Sequence, residues 1–465
     1  MIYDNLKSQK HQFHPSIIRE YDIRGIVNDT LTYTDAYVLG RSFGSEIIET
    51  GGYKVSVGYD GRLTSPKLEQ ILVDGLLSTG VNVDRIGLGP SPMLYFAAVK
   101  TGADGAIMVT GSHNPPTYNG FKLIHKNKPF YGSCINKLAD RAAHGRFVNG
   151  IGEEYERPVL LEFIKRILAD FNGSRELSVV WDPSNGAAGE VITAITKDLP
   201  GRHSVINGEI DGSFPNHHPD PSEPKNLEQL QRIVIDSKAD VGFSFDGDGD
   251  RLGVIDGKGR VVAGDQILMI LAKDVLAAAP GASIIADVKC SDIFFNSVSM
   301  FGGCPVMSKT GHSNIKAKML ETDALLAGEM SGHIFFADKY FGYDDACYAA
   351  IRFLSILCNN KSSLIEIFDN LPKTFNTPEL RFKCPDARKF EVVKEVRKRL
   401  IKSGKQFSDI DGVRVSEGSG WWLLRASNTQ AFLVARCEAK DSKALDSIKA
   451  ILSEQLRKSN VTACL

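Results

Sequence analysis

The segment Asp246-Gly-Asp-Gly-Asp-Arg251 sets three carboxylates at alternate positions with glycines between them. Oxygens spaced in this way converge on a hard cation such as Mg2+, and without one their mutual repulsion is unfavourable. An EF-hand loop begun at Asp246 would need glycine sixth and glutamate twelfth. Arg251 and Gly257 stand there, so that reading fails. A solvated acidic turn is the plainer alternative.

Three further loops carry reactive or ligand-reading side chains. Thr110-Gly-Ser-His-Asn-Pro-Pro116 follows a short apolar run and holds Ser112 between Gly111 and His113. The Ser112 hydroxyl is a candidate nucleophile, and exposed amides in such a turn can cradle an oxyanion. The same residues also suit a turn closed by local side-chain hydrogen bonds. A Ser–His–Asp triad is not expected, because adjacent residues seldom point at each other. In Gly328-Glu-Met-Ser-Gly-His333, an extended loop would turn Glu329, Ser331 and His333 to one side. Carboxylate, hydroxyl and imidazole together suit sugar hydroxyls; taken singly, His333 would more often be a structural histidine. Arg425-Ala-Ser-Asn-Thr429 combines a guanidinium with short donors, which suits either a phosphate clamp or a surface turn. A Walker A sequence and a Gly-x-Gly-x-x-Gly after a strand are both missing, so nucleotide-dependent classes lack support.

The elements that position these loops repeat. Three segments each run from an Asp through a short apolar strand into a polar loop: Asp104 to His113, Asp240 to Asp250, and Asp323 to His333. Upstream of each lies a strand ending in Asp: Lys54 to Asp60, Leu177 to Asp182, and Ser283 to Asp287. A helix is expected around Ser65 to Gly80. Strand–helix alternation predicts mixed sheets covered by helices, and three such units with loops at strand carboxyl ends suit one shared cleft. Chance likeness among α/β patterns is the alternative. The last ninety residues differ. A charged amphipathic helix over Asp386 to Lys405 precedes strands at Gly420 to Leu424 and Ala431 to Arg436, a smaller α+β unit. Pro372 and Pro378 mark the linker to it.

Composition excludes several classes. The 465 residues suggest about three or more domains at roughly 150 residues each. Fifty-five Lys and Arg balance 56 Asp and Glu, so no net basic charge drives nucleic-acid binding. The longest mostly apolar stretch, Val275 to Ala286, is too short to span a bilayer and contains Pro280 and Gly281. The start of the chain has no apolar signal core, and Cys464 is penultimate, outside any prenylation box. Eight sparse cysteines without a Cys-x-x-Cys pair read as free thiols in a reducing compartment, the cytoplasm.

Taken together, the motifs resemble the α-D-phosphohexomutase superfamily. The matches are Glu20-Tyr-Asp-Ile-Arg-Gly25, Thr110 to Pro116 with Tyr118-Asn-Gly-Phe-Lys122, Asp246 to Arg251, Gly328 to His333, and Arg425 to Thr429, in family order. The first and fourth most resemble the bacterial phosphomannomutase/phosphoglucomutase branch; the phosphoglucosamine branch usually opens differently. The resemblance implies three similar mixed-sheet α/β domains plus a smaller C-terminal α+β domain around a central cleft. On it we expect a phosphoserine domain over 1–157, a metal-binding domain over 158–260, a sugar-recognition domain over 261–372 and a phosphate-binding domain over 373–465.

It further implies that Ser112 is phosphorylated at rest, with Mg2+ held by Asp246, Asp248, Asp250 and a phosphoserine oxygen. Glu329, Ser331 and His333 would select the sugar; Arg425, Ser427, Asn428 and Thr429 would bind its phosphate. Tyr21, Arg24, His113, Lys122, Arg251, Lys289 and His312 match further cleft positions, with Arg24 and Lys122 candidates for charge stabilisation and proton transfer. Gln430-Ala431-Phe432 follows Thr429, where the family commonly has proline two residues after the threonine. The expected activity interconverts hexose 6-phosphate and hexose 1-phosphate of mannose or glucose through a hexose 1,6-bisphosphate. Rival readings are a phosphoglucosamine mutase, an aspartyl-phosphate phosphotransferase using Asp246, and a non-catalytic sugar-phosphate binder. Partners are expected to be phosphosugars alone, without nucleic acid or membrane, and the chain a monomer or weak dimer.

Overall fold

The computed structural model describes residues 10–428 and 431–462; Thr429 and Cys464 fall outside them. Three sheets share one strand plan. In the first, Lys54–Tyr59 lies between Asn82–Leu88 and Gly105–Val109, both parallel to it, and Tyr118–His125 closes the set antiparallel. In the second, Leu177–Asp182 lies between Gly201–Val205 and Val241–Phe245, with Leu252–Asp256 antiparallel. In the third, Ser283–Asp287 lies between Cys304–Ser308 and Leu326–Gly328, with Ile334–Phe336 antiparallel. Each chemical loop joins the last parallel strand to the antiparallel one, so all three leave a sheet at the same topological point.

The aspartates that end the leading strands explain part of the repeat. Asp60, Asp182 and Asp287 each accept a hydrogen bond from the amide two residues on, Arg62, Ser184 and Lys289, at 3.0, 2.9 and 2.7 Å. This Asx turn reverses the chain into the following segment. Gly105–Val109 and Val241–Phe245 are buried at every position, as expected for strands covered on both faces. The second and third units share a continuous apolar core that also takes in the helix Ser91–Thr101 of the first; Phe96 packs on Phe163, and Phe243 on Phe353. Among the described residues no helix is long and apolar enough to cross a membrane.

The last unit is an antiparallel sheet built on Val413–Glu417, Gly420–Ala426 and Phe432–Ala439. Leu380–Lys383 and Phe375–Asn376 pair along the outer edge of Phe432–Ala439. Alternation along Gly420–Ala426 divides its apolar run between two partners. Trp422 and Leu424 join the core with helices Asp386–Lys402 and Ser442–Arg457, whereas Trp421 and Leu423 pack on Val288 and Met307 of the third unit. Arg414 ties the same interface. It donates to the carbonyls of Val288 and Cys290 at 2.7 and 3.0 Å and to Asp292 at 2.7 Å, and it stacks 3.8 Å over Trp421.

Replacing Arg414 strands those two buried carbonyls, at about 1–3 kcal/mol each. Arg414→Ala is therefore expected to loosen the last unit first, splitting the calorimetric unfolding profile with a new transition at lower temperature. A single transition at the wild-type temperature would show that the apolar contacts alone hold the interface.

Candidate active site

Ser112 sits in the loop between Gly105–Val109 and Tyr118–His125, in the left-handed region at φ 47°. Few non-glycine residues adopt it, so the surroundings must hold it there. Asp60 accepts from Thr110 Oγ1 at 2.7 Å and from the Gly111 amide at 3.1 Å. Arg62 does more. Its fully buried guanidinium donates to four carbonyls of the loop, those of Ser112, Asn114 and Pro115 at 2.6 Å and Tyr118 at 3.0 Å. Gly111 permits this approach, since a β-carbon there would lie 2.5 Å from Arg62 Cζ. Sequence reasoning missed Arg62, although Asp60-Gly-Arg62 directly after a strand was a visible signal.

The Ser112 hydroxyl donates to Asp246 Oδ2 at 2.9 Å and lies 3.2 Å from His113 Nδ1. Adjacent side chains thus do face each other here, against the expectation; the left-handed backbone at Ser112 turns its side chain toward its neighbour's ring. The carboxylate engages the serine directly, which is not the order of a Ser–His–Asp triad. Burial, then Arg251 and Arg24, hold His113 well below the ordinary histidine range, so its ring is neutral.

The three aspartates lie in a buried turn between Val241–Phe245 and Leu252–Asp256. Asp246 Oδ1 closes the turn by accepting from the amides of Asp250 and Arg251 at 3.0 and 3.1 Å. Lys122 donates to Asp248 at 2.6 Å and Asp250 at 2.5 Å, and Ser91 also donates to Asp248. Oxygens of all three carboxylates come within 4.8 Å of one another. The Oδ1 atom of Asp248 is buried without a hydrogen-bond partner among the described residues, and that of Asp250 lies 3.2 Å from His333 Nε2. An all-oxygen donor set with a buried, unpartnered member fits a hard divalent cation. Burial and the two neighbouring carboxylates push Asp246 up, whereas Lys122 holds Asp248 and Asp250 down against burial. Gly247 lets the serine and carboxylate loops meet: a β-carbon there would stand 2.4 Å from the Ser112 carbonyl oxygen.

The third loop is a tight turn rather than the extended segment expected. Gly332, at φ 96°, donates to the Glu329 carbonyl, and the Glu329 amide to that of His333. The turn still gathers the three groups, with His333 Nδ1 3.0 Å from Glu329 Oε2 and 3.1 Å from Ser331 Oγ. Nε2 of the same ring lies 3.2 Å from Asp250. Burial alone would lower its pKa, but Asp250 and Glu329 outweigh that and raise it to about 9. His312 stacks 5.8 Å away and is held neutral by burial and by Lys316 and Lys122.

A cleft of 730 Å³ opens between the units. Tyr21, Arg24, Ser112, His113, Lys122, Arg251, Lys289, His312, Glu329, Ser331, His333, Arg425, Ser427 and Asn428 all line it, and Thr429 lies outside the described residues. Arg24 donates to Asp22 and Asn114, each at 2.5 Å. Tyr21, from the first unit, donates to the Thr310 carbonyl of the third at 2.8 Å and accepts from Asn428 of the last. Lys289 meets Glu379 across the same boundary at 3.1 Å. Sequence reading did not single out Arg19, Glu379, Arg381 or Arg436, which line the cleft as well.

Four family profiles match consecutively. They are the α/β/α domains I, II and III of phosphoglucomutase/phosphomannomutase over 15–148, 160–259 and 263–375, and the C-terminal domain over 379–455. The chain belongs to this family. A phosphomannomutase/phosphoglucomutase of Pseudomonas aeruginosa is 42% identical, covering 95% of this chain and 96% of its own. A phosphoglucomutase of Neisseria gonorrhoeae is 39% identical over 93% and 95%. Among solved structures, a phosphoglucomutase/phosphomannomutase family protein from Burkholderia thailandensis superposes with a TM-score of 0.91 at 41% identity, covering 97% and 99%. An Aspergillus fumigatus N-acetylphosphoglucosamine mutase, at 14% identity and a TM-score of 0.60 over 98% and 97%, shares the fold alone.

Two measurements test the geometry. Gly247→Ala should force the Ser112 and aspartate loops apart and lower turnover by about a hundredfold with the fold intact by circular dichroism; wild-type turnover would show that the approach is not needed. In chelator-treated protein, NMR should find the His333 ring charged at pH 7 and titrating near pH 9, with His113 and His312 neutral. Because the folded value is raised, the stabilisation is full below about pH 6.5 and lost as pH rises through about 9. A ring already neutral at pH 7 would refute the ion pairs.

Proposed function

We propose that this phosphohexomutase carries its transferable phosphate on Ser112 and interconverts the 6-phosphates and 1-phosphates of mannose and glucose through a bisphosphorylated sugar. Mutase activity follows from the family and from relatives named phosphomannomutase/phosphoglucomutase and phosphoglucomutase. The observation that carries the finer reading is the Ser112 hydroxyl, buried against Asp246 where the serine and carboxylate loops converge at one cleft.

In the first half-reaction the bond from Ser112 Oγ to phosphorus breaks and a substrate hydroxyl oxygen takes the phosphoryl group, losing its proton. In the second, Ser112 takes the other phosphate of the bisphosphate and gives up the proton it had gained. Asp246, Asp248 and Asp250 would hold a Mg2+ ion, which supplies neutralising charge to the phosphoryl group. Arg24 lends positive charge beside the serine loop. Lys122, whose ammonium is shared by two of those carboxylates, is the candidate proton donor. His113, uncharged and 3.2 Å from Oγ, is suited to exchange the serine proton. Glu329, Ser331 and His333 offer one acceptor and two donors to sugar hydroxyls. Arg425, Ser427 and Asn428 offer phosphate donors on the opposite wall of the cleft. Because the intermediate must turn over, a clamp that reads phosphate rather than sugar serves both orientations.

Ser112→Ala should lower activity on mannose 1-phosphate and glucose 1-phosphate by at least about a thousandfold while leaving the fold unchanged. Phosphopeptide mass spectrometry of wild-type protein should place the phosphate on Ser112. Finding it on Asp246, or a fully active Ser112→Ala variant, would overturn the proposal.

A further inference from the structure

The turn before Val413–Glu417 carries an acid that neither the motifs nor the reaction chemistry accounts for. Ser408 and Arg414 pair through both backbone hydrogen bonds, at 2.8 and 2.9 Å, and hold Asp411 at the tip of the turn. Gly412, at φ 84°, brings this tip against the neighbouring strand. A β-carbon there would lie 2.3 Å from the Leu424 carbonyl oxygen and 2.7 Å from Arg425 Cβ, so only glycine lets Asp411 stand beside Arg425.

One oxygen of Asp411 serves three donors in two units. Oδ2 accepts from Arg425 Nε at 2.9 Å, from Thr310 Oγ1 at 2.7 Å and from the Thr310 amide at 3.1 Å. The Thr310 carbonyl takes the Tyr21 hydroxyl of the first unit, and the Gly311 amide donates to Glu329 at 2.6 Å. Asp411 therefore couples the arginine of the last unit to the segment that also contacts the sugar-reading glutamate. An acid on Nε fixes the plane of a guanidinium and keeps its two terminal amino groups as a fork for a second anion.

We propose that Asp411 is a positioning residue of the phosphate clamp, held in place by Thr310 of the third unit and aiming Arg425 at the phosphate that is not being transferred. The inference rests on the reading of the Arg425 loop given above. Asp411 touches no reacting atom; its influence passes through Arg425. Losing it should therefore weaken phosphate recognition in both substrate orientations and leave transfer at Ser112 largely intact.

The test is steady-state kinetics on glucose 1-phosphate and mannose 1-phosphate, with inorganic phosphate as a competitive probe. Wild type, Asp411→Ala, Asp411→Asn, Arg425→Ala and the Asp411→Ala/Arg425→Ala double variant are compared. Asp411→Ala should raise both KM values and the phosphate inhibition constant about tenfold, with kcat changed less than about threefold. The near-isosteric Asp411→Asn should fold as wild type and fall between the two. Because the acid acts through the arginine, the double variant should be no worse than Arg425→Ala alone. Unchanged KM and phosphate inhibition in both Asp411 variants, or fully additive losses in the double variant, would overturn the inference while leaving the clamp standing. An Arg425→Ala enzyme with wild-type KM would remove the clamp and the inference together.

Discussion

Three carboxylates gathered in a place shielded from water are the constraint on which the centre of this molecule depends. Asp246, Asp248 and Asp250 are fully buried and close enough to share one ligand. Such an arrangement is unfavourable unless positive charge is brought to it. The surroundings supply that charge from other units: Lys122 from the first, and His333, held cationic by Asp250 and Glu329, from the third. The carboxylate cluster therefore does more than offer a cation site. It draws side chains of three units toward a common point and fixes the protonation of one of them.

A threefold internal repeat is an economical way to satisfy that constraint. A parallel strand must end somewhere, and its carboxyl end is where side chains can be aimed without interrupting the sheet. Here the same departure point yields a hydroxyl in one unit, the carboxylates in the next and the Glu329–His333 turn in the third. The shared Asx turns at Asp60, Asp182 and Asp287 stabilise equivalent chain reversals. The sheets also differ in the strands added to this shared plan, and the first unit keeps a core of its own beside the one it shares with the second and third.

What was legible in the sequence followed from local chemistry. Lys54–Tyr59 shows its ends through its apolar pattern and the Asp-Gly that follows, and the helix Asp386–Lys402 through its charged periodicity. The aspartate loop shows its chemistry because alternate acids have few other uses. The illegible part depends on contacts between residues distant in the chain. Asp60-Gly-Arg62 after a strand flags a turn, but not that the Arg62 guanidinium is buried beneath Ser112 fifty residues on. Lys122 could be matched to the cleft, but not seen to bridge two acids of another unit. The Glu329–His333 loop gathers its side chains by a route that alternation does not show: Gly332 allows a left-handed turn that brings them together by folding back. The apolar run at Trp421 to Leu424 looked like one buried strand, and only the fold shows that alternate residues serve two different cores.

The balance of charge over the whole chain hides a division between the last unit and the rest. Residues 373–465 contain 19 Lys and Arg against 11 Asp and Glu, a net +8, so the preceding 372 residues carry −9. The acidic part holds the aspartate cluster, which could bind a metal ion; the basic part holds the Arg425 loop. The division does not reach the cleft lining, where the first three units place Arg19, Arg24, Lys122, Arg251 and Lys289 against Asp22, Asp220, Glu223 and Glu329, so both sides present cations. The opposite net charges instead favour approach of the last unit to the other three, over distances limited to about 8 Å at physiological salt. Short-range contacts then replace the diffuse attraction: Lys289 with Glu379, Arg381 with Glu223, and the Arg425–Asp411–Thr310 linkage across the mouth of the cleft. The aspartate cluster belongs to the second unit and the Arg425 guanidinium to the last, so these contacts between units are what bring the two toward one cleft.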